Sequence, residues 1–564
     1  MKIALAQINP LVGDLKGNAE IIFAACLKAA KQDANLLLTP ELSLWGYPPR
    51  DLLLNSQLFE DQKEILDELS KSIGLEASGL RVLIGIAEPI KDTQLPKLFN
   101  SIVLLESSGW RVIARKQLLP SYDVFDEKRY FRAAESIGAL NIEINKKIWH
   151  LGITICEDLW VEEELQGKRI AGPDPIEKLK AQKINLLINL SASPFSHNKA
   201  SLRQTLATKA VQRLHCPVIY LNQIGGNDEL IFDGASFVID AKTDLVLSLP
   251  AFRQYLAFWE PLKADKLQVT ALSKSQEELF QALVLGVTDY ARKCGFNSAL
   301  IGLSGGIDSA LVTIIASAAL GAKNVTAVLM PSPWSSVGSI QDSLDLANRL
   351  GICTHTLPIE SLIENYDTAL KIPLGKSPKG ITAENLQSRI RGTLLMALAN
   401  QQGHLLLSTG NKSELAVGYC TLYGDMNGGL SVIGDLYKTC VFSLCKWLNS
   451  KASYQCRSDL GLFNDEGLVG EAIINKPPSA ELRPEQIDTD SLPDYEILDP
   501  ILQALIEEQK TPQELINKGN CPTLVKEIYS MFKKAEFKRR QGPPLLKVSP
   551  QAFGSGWRFP IAAK

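Results

Sequence analysis

Two groups of side chains in this sequence have types and spacing suited to chemistry. The first is Gly302-Leu303-Ser304-Gly305-Gly306-Ile307-Asp308-Ser309, with Thr409 and Glu414 further along in Ser408-Thr409-Gly410-Asn411-Lys412-Ser413-Glu414. Two hydroxyls, small turn residues and a carboxylate form an anion site when a strand feeds a helix through them. The free N–H groups and positive dipole end of the helix attract negative charge, and glycine lets oxygens approach the backbone. The second group is Glu41, Lys116 and Cys156. A nearby ammonium lowers a thiol toward its thiolate, and a carboxylate can take the thiol proton and later activate water. The ammonium can also stabilise the oxyanion of a tetrahedral intermediate.

The elements that must position these groups are legible as apolar runs. Asn35–Thr39 reads as a strand ending near Glu41. Arg111–Arg115 closes a hairpin at Lys116, and Trp149–Ile155 ends at Cys156. Further strands are expected at Lys2–Ile8, Arg81–Ala87 and Ile184–Leu190, with a helix near Asn18–Lys31. In the second half Ala299–Ile301 feeds the first loop, and Val325–Met330, Cys353–Leu357 and His404–Leu407 alternate with helices. That alternation implies a parallel, doubly wound sheet. A polar, Lys-rich stretch over 261–275 marks a connector. The expected division is therefore 1–260 and 275–564.

Bulk properties narrow the class. The 564 residues are 45% hydrophobic and 21% charged, with a net charge of -3. Length of this order allows roughly two to four domains. A near-neutral balance gives no electrostatic footprint for nucleic acid. Ten scattered cysteines without a C-x-x-C pair suggest neither a disulfide framework nor a zinc site, and fit a reducing, cytoplasmic setting. The N-terminus lacks a signal-peptide pattern, and no apolar run is long enough to span a membrane.

The loop lacks the Gly-Lys-Ser/Thr ending of a Walker A motif and the G-x-G-x-x-G of a dinucleotide fold. Its Ser-Gly-Gly-x-Asp-Ser pattern resembles the pyrophosphate loop of the ATP pyrophosphatases, which adenylate a substrate as ATP loses pyrophosphate. The words Thr39-Pro40-Glu41-Leu42, Arg115-Lys116-Gln117-Leu118-Leu119-Pro120 and Ile155-Cys156-Glu157-Asp158-Leu159-Trp160 resemble, in order, the three signatures of the nitrilase (carbon–nitrogen hydrolase) superfamily. That resemblance implies an αββα sandwich and amide hydrolysis through a cysteine thioester, with Glu41 as base, Lys116 as electrostatic partner and Cys156 as nucleophile. It also implies a glutamine pocket lined by Tyr122, Ser193 and Lys199.

Glu384-Asn385-Leu386-Gln387-Ser388-Arg389-Ile390-Arg391 and the run from Thr409 to Asp425 resemble the NAD synthetase family, and the whole chain resembles its glutamine-dependent, two-domain form. The resemblance implies ATP contacts at Gly302, Leu303, Ser304, Gly305, Gly306, Ile307, Asp308, Ser309 and Thr409. It implies deamido-NAD contacts at Asn385, Glu414, Tyr419, Cys420, Thr421, Leu422 and Lys538, and a magnesium site at Asp308 and Glu414. The substrates expected are glutamine, ATP and deamido-NAD, with a protected route for ammonia and a homo-oligomeric assembly, and neither nucleic acid nor a membrane as partner. Ser388 and Trp557 depart from the pattern, a difference expected to concern packing only. Residues 476–500 read as a mobile loop able to order over a nucleotide. A tRNA-modifying pyrophosphatase and a non-catalytic sensor of glutamine or nucleotide are the competing readings. The first lacks a basic excess, and the second has no use for a nucleophile.

Overall fold

The computed structural model describes the chain except residues 92–93, 145, 167–169, 262, 264–267, 270–274, 464–466 and 564. The connector expected over 261–275 lies for the most part outside the described residues. The chain divides into two compact units, Met1–Ser273 and Lys274–Lys564.

The first unit holds two sheets. One has six strands in the order Tyr255–Trp259, Ile3–Gln7, Leu36–Leu38, Arg81–Pro89, Leu98–Glu106, Gly109–Arg115. The other has seven, with Val218–Asn222, Leu186–Ser191, Lys147–Ile155 and Gly138–Ile144 running to one edge. Alternation along each strand sends successive side chains to opposite faces. Ile3 and Leu5 join Leu36, Leu38, Leu151, Ile153, Ile188 and Leu190 in one core between the sheets. Ala4, Ala6, Leu37 and Val82 face the other way, onto Ile22, Cys26, Leu66 and Ile73 of the helices Leu15–Ala30 and Gln57–Glu76. Leu187, Val218 and Tyr220 meet Leu179, Leu206, Ala207 and Ala210 of the helices Pro175–Ala181 and Lys199–Leu214. Helix, sheet, sheet, helix is the expected sandwich.

The second unit is built on a five-stranded sheet, all of whose pairings are parallel, in the order Cys353–Thr356, Val325–Leu329, Ala299–Gly302, Leu405–Ser408, Leu430–Ser431. The chain leaves Ala299–Gly302 toward one edge and returns on its other side at Leu405–Ser408. That reversal opens a crevice at the carboxyl ends of the two strands, where open α/β sheets bind ligands. The loops carrying Ser304 and Thr409 both start there.

Candidate functional site

In the first unit, three strand ends deliver the reactive groups to one buried point. Glu41 follows Leu36–Leu38, and its loop passes so close to Gly85 that a Cβ there would lie 2.2 Å from the Leu42 nitrogen. Lys116 follows Gly109–Arg115. Cys156 ends Lys147–Ile155 with φ +48, a left-handed conformation that costs a residue with a Cβ and turns the thiol out of the strand line. All three are at most 3% exposed.

The Lys116 Nζ donates to Glu41 Oε1 at 2.7 Å and to Glu127 Oε1 at 2.7 Å. Glu41 also accepts from Asn100 Nδ2 and from the Ala192 N–H, so both of its oxygens are held. Glu127, from the short helix Glu127–Tyr130, accepts from the Tyr47 hydroxyl as well. Burial pushes the Glu127 carboxyl up to about 7 against the pull of Lys116. These contacts revise the expectation for the thiol. Burial, with Glu41 adding to it, holds Cys156 well above the usual thiol range, and Lys116 only partly opposes this because it serves two carboxylates. That balance favours the thiol form of Cys156, so reaction at its sulfur would call for a base.

Asp158 ties these segments together. Its Oδ1 accepts from the Gln117 and Leu118 N–H groups, directly after Lys116, and its Oδ2 accepts from Ile155 N–H, directly before Cys156. Tyr122 donates to both oxygens of Glu157, the residue after the thiol. Ser193 is seated by Asn222 and by Arg203, whose Nε donates to the Ser193 hydroxyl at 3.2 Å. The Lys199 ammonium lies 5.6 Å from the Trp160 ring centre, and its charge acts on Glu157. Tyr122, Ser193 and Lys199 thus stand on segments flanking Cys156.

In the second unit a cavity of about 810 Å³ opens at the sheet reversal. Gly302, Leu303, Ser304, Gly306, Ile307, Asp308 and Ser309 line it, together with Thr409, Glu414, Asn385, Tyr419, Cys420, Thr421 and Lys538. Two expected contacts do not. Gly305, at φ +79, backs onto Ser339, where a Cβ would meet the carbonyl oxygen at 2.4 Å. Leu422 packs against an apolar cluster and gives its carbonyl to Arg389. The Ser304 and Ser309 hydroxyls lie 3.1 Å apart at the start of the helix Ile307–Leu320, whose cap residue Gly306 offers no side chain, so its first N–H groups face outward. Lys538 donates to the carbonyls of Gly418 and Cys420, which fixes the segment that lines the cavity.

The sequence reading missed Lys438. Its Nζ meets Asp308 Oδ2 and stands 3.5 Å from Glu414 Oε1. Burial raises the Glu414 carboxyl to about 8 despite Lys438. A signal was available: Lys438 is the first residue of the helix Lys438–Leu448, where the dipole disfavours a cation. Glu127 had none, because Asp126-Glu127-Lys128-Arg129 reads as a solvated charge run.

Asp308 and Glu414 converge, as hard oxygen donors, on the position taken here by the Lys438 ammonium, and the Asp488 Oδ1, also on the cavity, is buried without a hydrogen-bond partner. Among the described residues no group of three His, Cys, Asp or Glu is arranged to hold a metal alone. One or two carboxylates completed by phosphate oxygens is the donor set that suits magnesium, so the residues fit. Within residues 476–492, Glu481 accepts from the Ser336 and Ser339 hydroxyls, and Lys476 bonds Ser339 and Asp342. Pro500 already belongs to the helix Tyr495–Ile506. Trp557 does serve packing, stacking on Phe559 and donating to Glu536. Ser388, in contrast, lines the cavity. No helix among the described residues is long and apolar enough to cross a membrane.

Comparison with known proteins agrees with both halves. The carbon–nitrogen hydrolase family matches residues 2–257 and the NAD synthase family matches 279–542. The glutamine-dependent NAD(+) synthetase of Synechocystis sp. is 49% identical over 99% of this chain and 98% of its own. That of Thermotoga maritima is 38% identical over 100% and 98%. The solved structure of the Acinetobacter baumannii glutamine-dependent NAD+ synthetase in complex with ADP is 35% identical, with a TM-score of 0.75 over 99% of this chain and 98% of that one. The chain belongs to the glutamine-dependent NAD(+) synthetases, ligases that join a carbon–nitrogen hydrolase domain to an NAD synthase domain.

Proposed function

We propose that residues 1–260 hydrolyse glutamine at Cys156 and that residues 275–564 use the ammonia to amidate deamido-NAD at the expense of ATP. Glu41 takes the thiol proton as sulfur attacks the glutamine amide carbon. Lys116 stabilises the oxyanion, Glu41 passes the proton to the amide nitrogen so that ammonia leaves, and water deprotonated by Glu41 then cleaves the thioester to glutamate. Glu157 and Lys199 present opposite charges beside the thiol, which suits the zwitterionic end of an amino acid, with Tyr122 and Ser193 completing the pocket. In the second unit Ser304, Ser309 and the open helix N–H groups receive the phosphates of ATP. Lys438 neutralises charge as the nicotinate carboxylate displaces pyrophosphate, and ammonia then attacks the acyl-adenylate to give NAD and AMP. Asp308 and Glu414 would hold a magnesium ion, whose chemistry is to screen phosphate charge. Asn385, Tyr419, Cys420, Thr421 and Lys538 surround the deamido-NAD side. We place the enzyme in the cytoplasm as a homo-oligomer.

The observation that carries this reading is the buried Glu41–Lys116–Glu127 group beside the Cys156 thiol, in the same chain as a serine-lined phosphate cradle. The test is Cys156→Ala, assayed with deamido-NAD, ATP and magnesium, once with glutamine and once with ammonium chloride. NAD formation lost with glutamine and kept with ammonium is expected. Full activity with glutamine would remove Cys156 from its role.

A further inference from the structure

The helix Ile381–Gln402 forms one wall of the cavity. Asn385, Ser388, Arg389 and Gly392 recur along it at i, i+3, i+4 and i+7, and so share a face. Each meets the turn 421–427. The Thr421 hydroxyl donates to Asn385 Oδ1 at 2.9 Å, and Arg389 Nε donates to the Leu422 carbonyl at 3.2 Å. Gly392 leaves room for the carbonyls of Tyr423 and Gly424, each 2.9 Å from where its Cβ would be. Ser388 does the most specific work of the four. Its hydroxyl donates to Asp425 Oδ1 at 3.0 Å and accepts from the Asp425 N–H at 3.0 Å. The same Oδ1 accepts from the Thr421 N–H at 2.7 Å. One hydroxyl therefore holds both the backbone and the carboxylate of a residue that opens onto the cavity beside Cys420 and Thr421.

We propose that Ser388 is a positioning residue for the deamido-NAD side of the cavity, acting through Asp425, an inference that rests on the proposed function. Without the hydroxyl, the Asp425 carboxylate keeps only its tie to Thr421 and can rotate, and the turn loses a point of attachment. Binding on that side then has to order what Ser388 had already ordered, a cost that falls on one substrate.

The test is steady-state kinetics of Ser388→Ala with ammonium chloride as nitrogen donor. The KM for deamido-NAD should rise about tenfold, the scale of one hydrogen bond to a charged group, while the KM for ATP stays within about twofold. Glutamine hydrolysis should be unchanged, which also reports an intact first unit. Gly424→Ala tests the same contact from the other side, since its Cβ would fall 2.2 Å from the Ser388 hydroxyl oxygen; the same selective rise is expected. In an Asp425→Ala background, where only the contact to the backbone N–H of position 425 is left to lose, Ser388→Ala should raise that KM by less than it does in the unaltered enzyme. An unchanged KM for deamido-NAD, equal rises for both substrates, or additive effects with Asp425→Ala would each overturn the proposal. No deamido-NAD turnover by the unaltered enzyme would overturn the proposed function itself.

Discussion

Replacing Arg203 by methionine should destabilise the first unit strongly, and replacing Asp233 by leucine in the same chain should restore much of the loss. Arg203 lies one helical turn beyond Lys199, is 0% exposed, and uses every donor it has. Nη1 meets both Asp233 oxygens at 2.8 Å, Nη2 donates to the Ser193 and Pro194 carbonyls, and Nε donates to the Ser193 hydroxyl. At 2.8 Å and an effective dielectric near 20 the gross attraction is about 6 kcal/mol, most of it offset by desolvation. Removing one partner leaves a buried unpaired charge, at about 3–5 kcal/mol. For a unit of this size that lowers the unfolding midpoint by roughly 6–20 °C. An apolar pair of similar volume removes the unpaired charge, so the double variant should recover most of the stability. The assay is residual glutamine hydrolysis after heating, read beside a thermal melt. The restored variant should still show a raised KM for glutamine, because Ser193 has lost the donor that seats it. A shift below about 3 °C for Arg203→Met, or a double variant as unstable as the sum of the single changes, would refute the electrostatic reasoning.

Two further outcomes follow from the same geometry. Burial raises the Asp158 carboxyl from 3.8 to about 6, so the folded state holds that proton more tightly than the unfolded chain. The first unit should then lose stability as pH rises from 3.8 to about 6 and no further from this group above that, by roughly 3 kcal/mol in all. Asp158→Asn should flatten that slope in melts taken across the window, and an unaltered slope would contradict it. Lys438→Met should lower NAD formation roughly 10²–10³-fold with glutamine and with ammonium alike, while glutamine hydrolysis persists. A defect confined to glutamine would separate Lys438 from the phosphate site.

The parts of the site that were legible in the sequence are those carried by short local words at strand ends. Glu41, Lys116, Cys156, Ser304, Asp308 and Thr409 each follow a recognisable apolar run; the parallel sheet of the second unit collects its ends on one edge, and in the first unit strand ends from two sheets meet at one point. What escaped was set by contacts distant in sequence. Glu127 pairs with Lys116 through a four-residue helix whose charges look solvated. Lys438 reaches Asp308 across 130 positions. The thiol was expected to be lowered by its ammonium because one partner was counted, and the fold supplies Lys116 with two carboxylates. Ser388 looked incidental because its partner Asp425 comes 37 residues later.

The helix that carries Glu414 begins at a second buried lysine, Lys412, and its contacts bear on the order in which the enzyme becomes competent. Lys412 is 0% exposed and is neutralised by Asp435 and Glu507, with its remaining hydrogen bonds going to Ser549 and Gln551. Asp435 in turn receives the N–H groups of Val548 and Ser549. The short helix that aims Glu414 at the cavity is thus braced by residues made more than a hundred positions later. On the ribosome, every residue of the proposed glutamine site has been translated before residue 280, while the helix carrying Glu414 waits for residues 548–551. A nascent chain paused in between could waste glutamine.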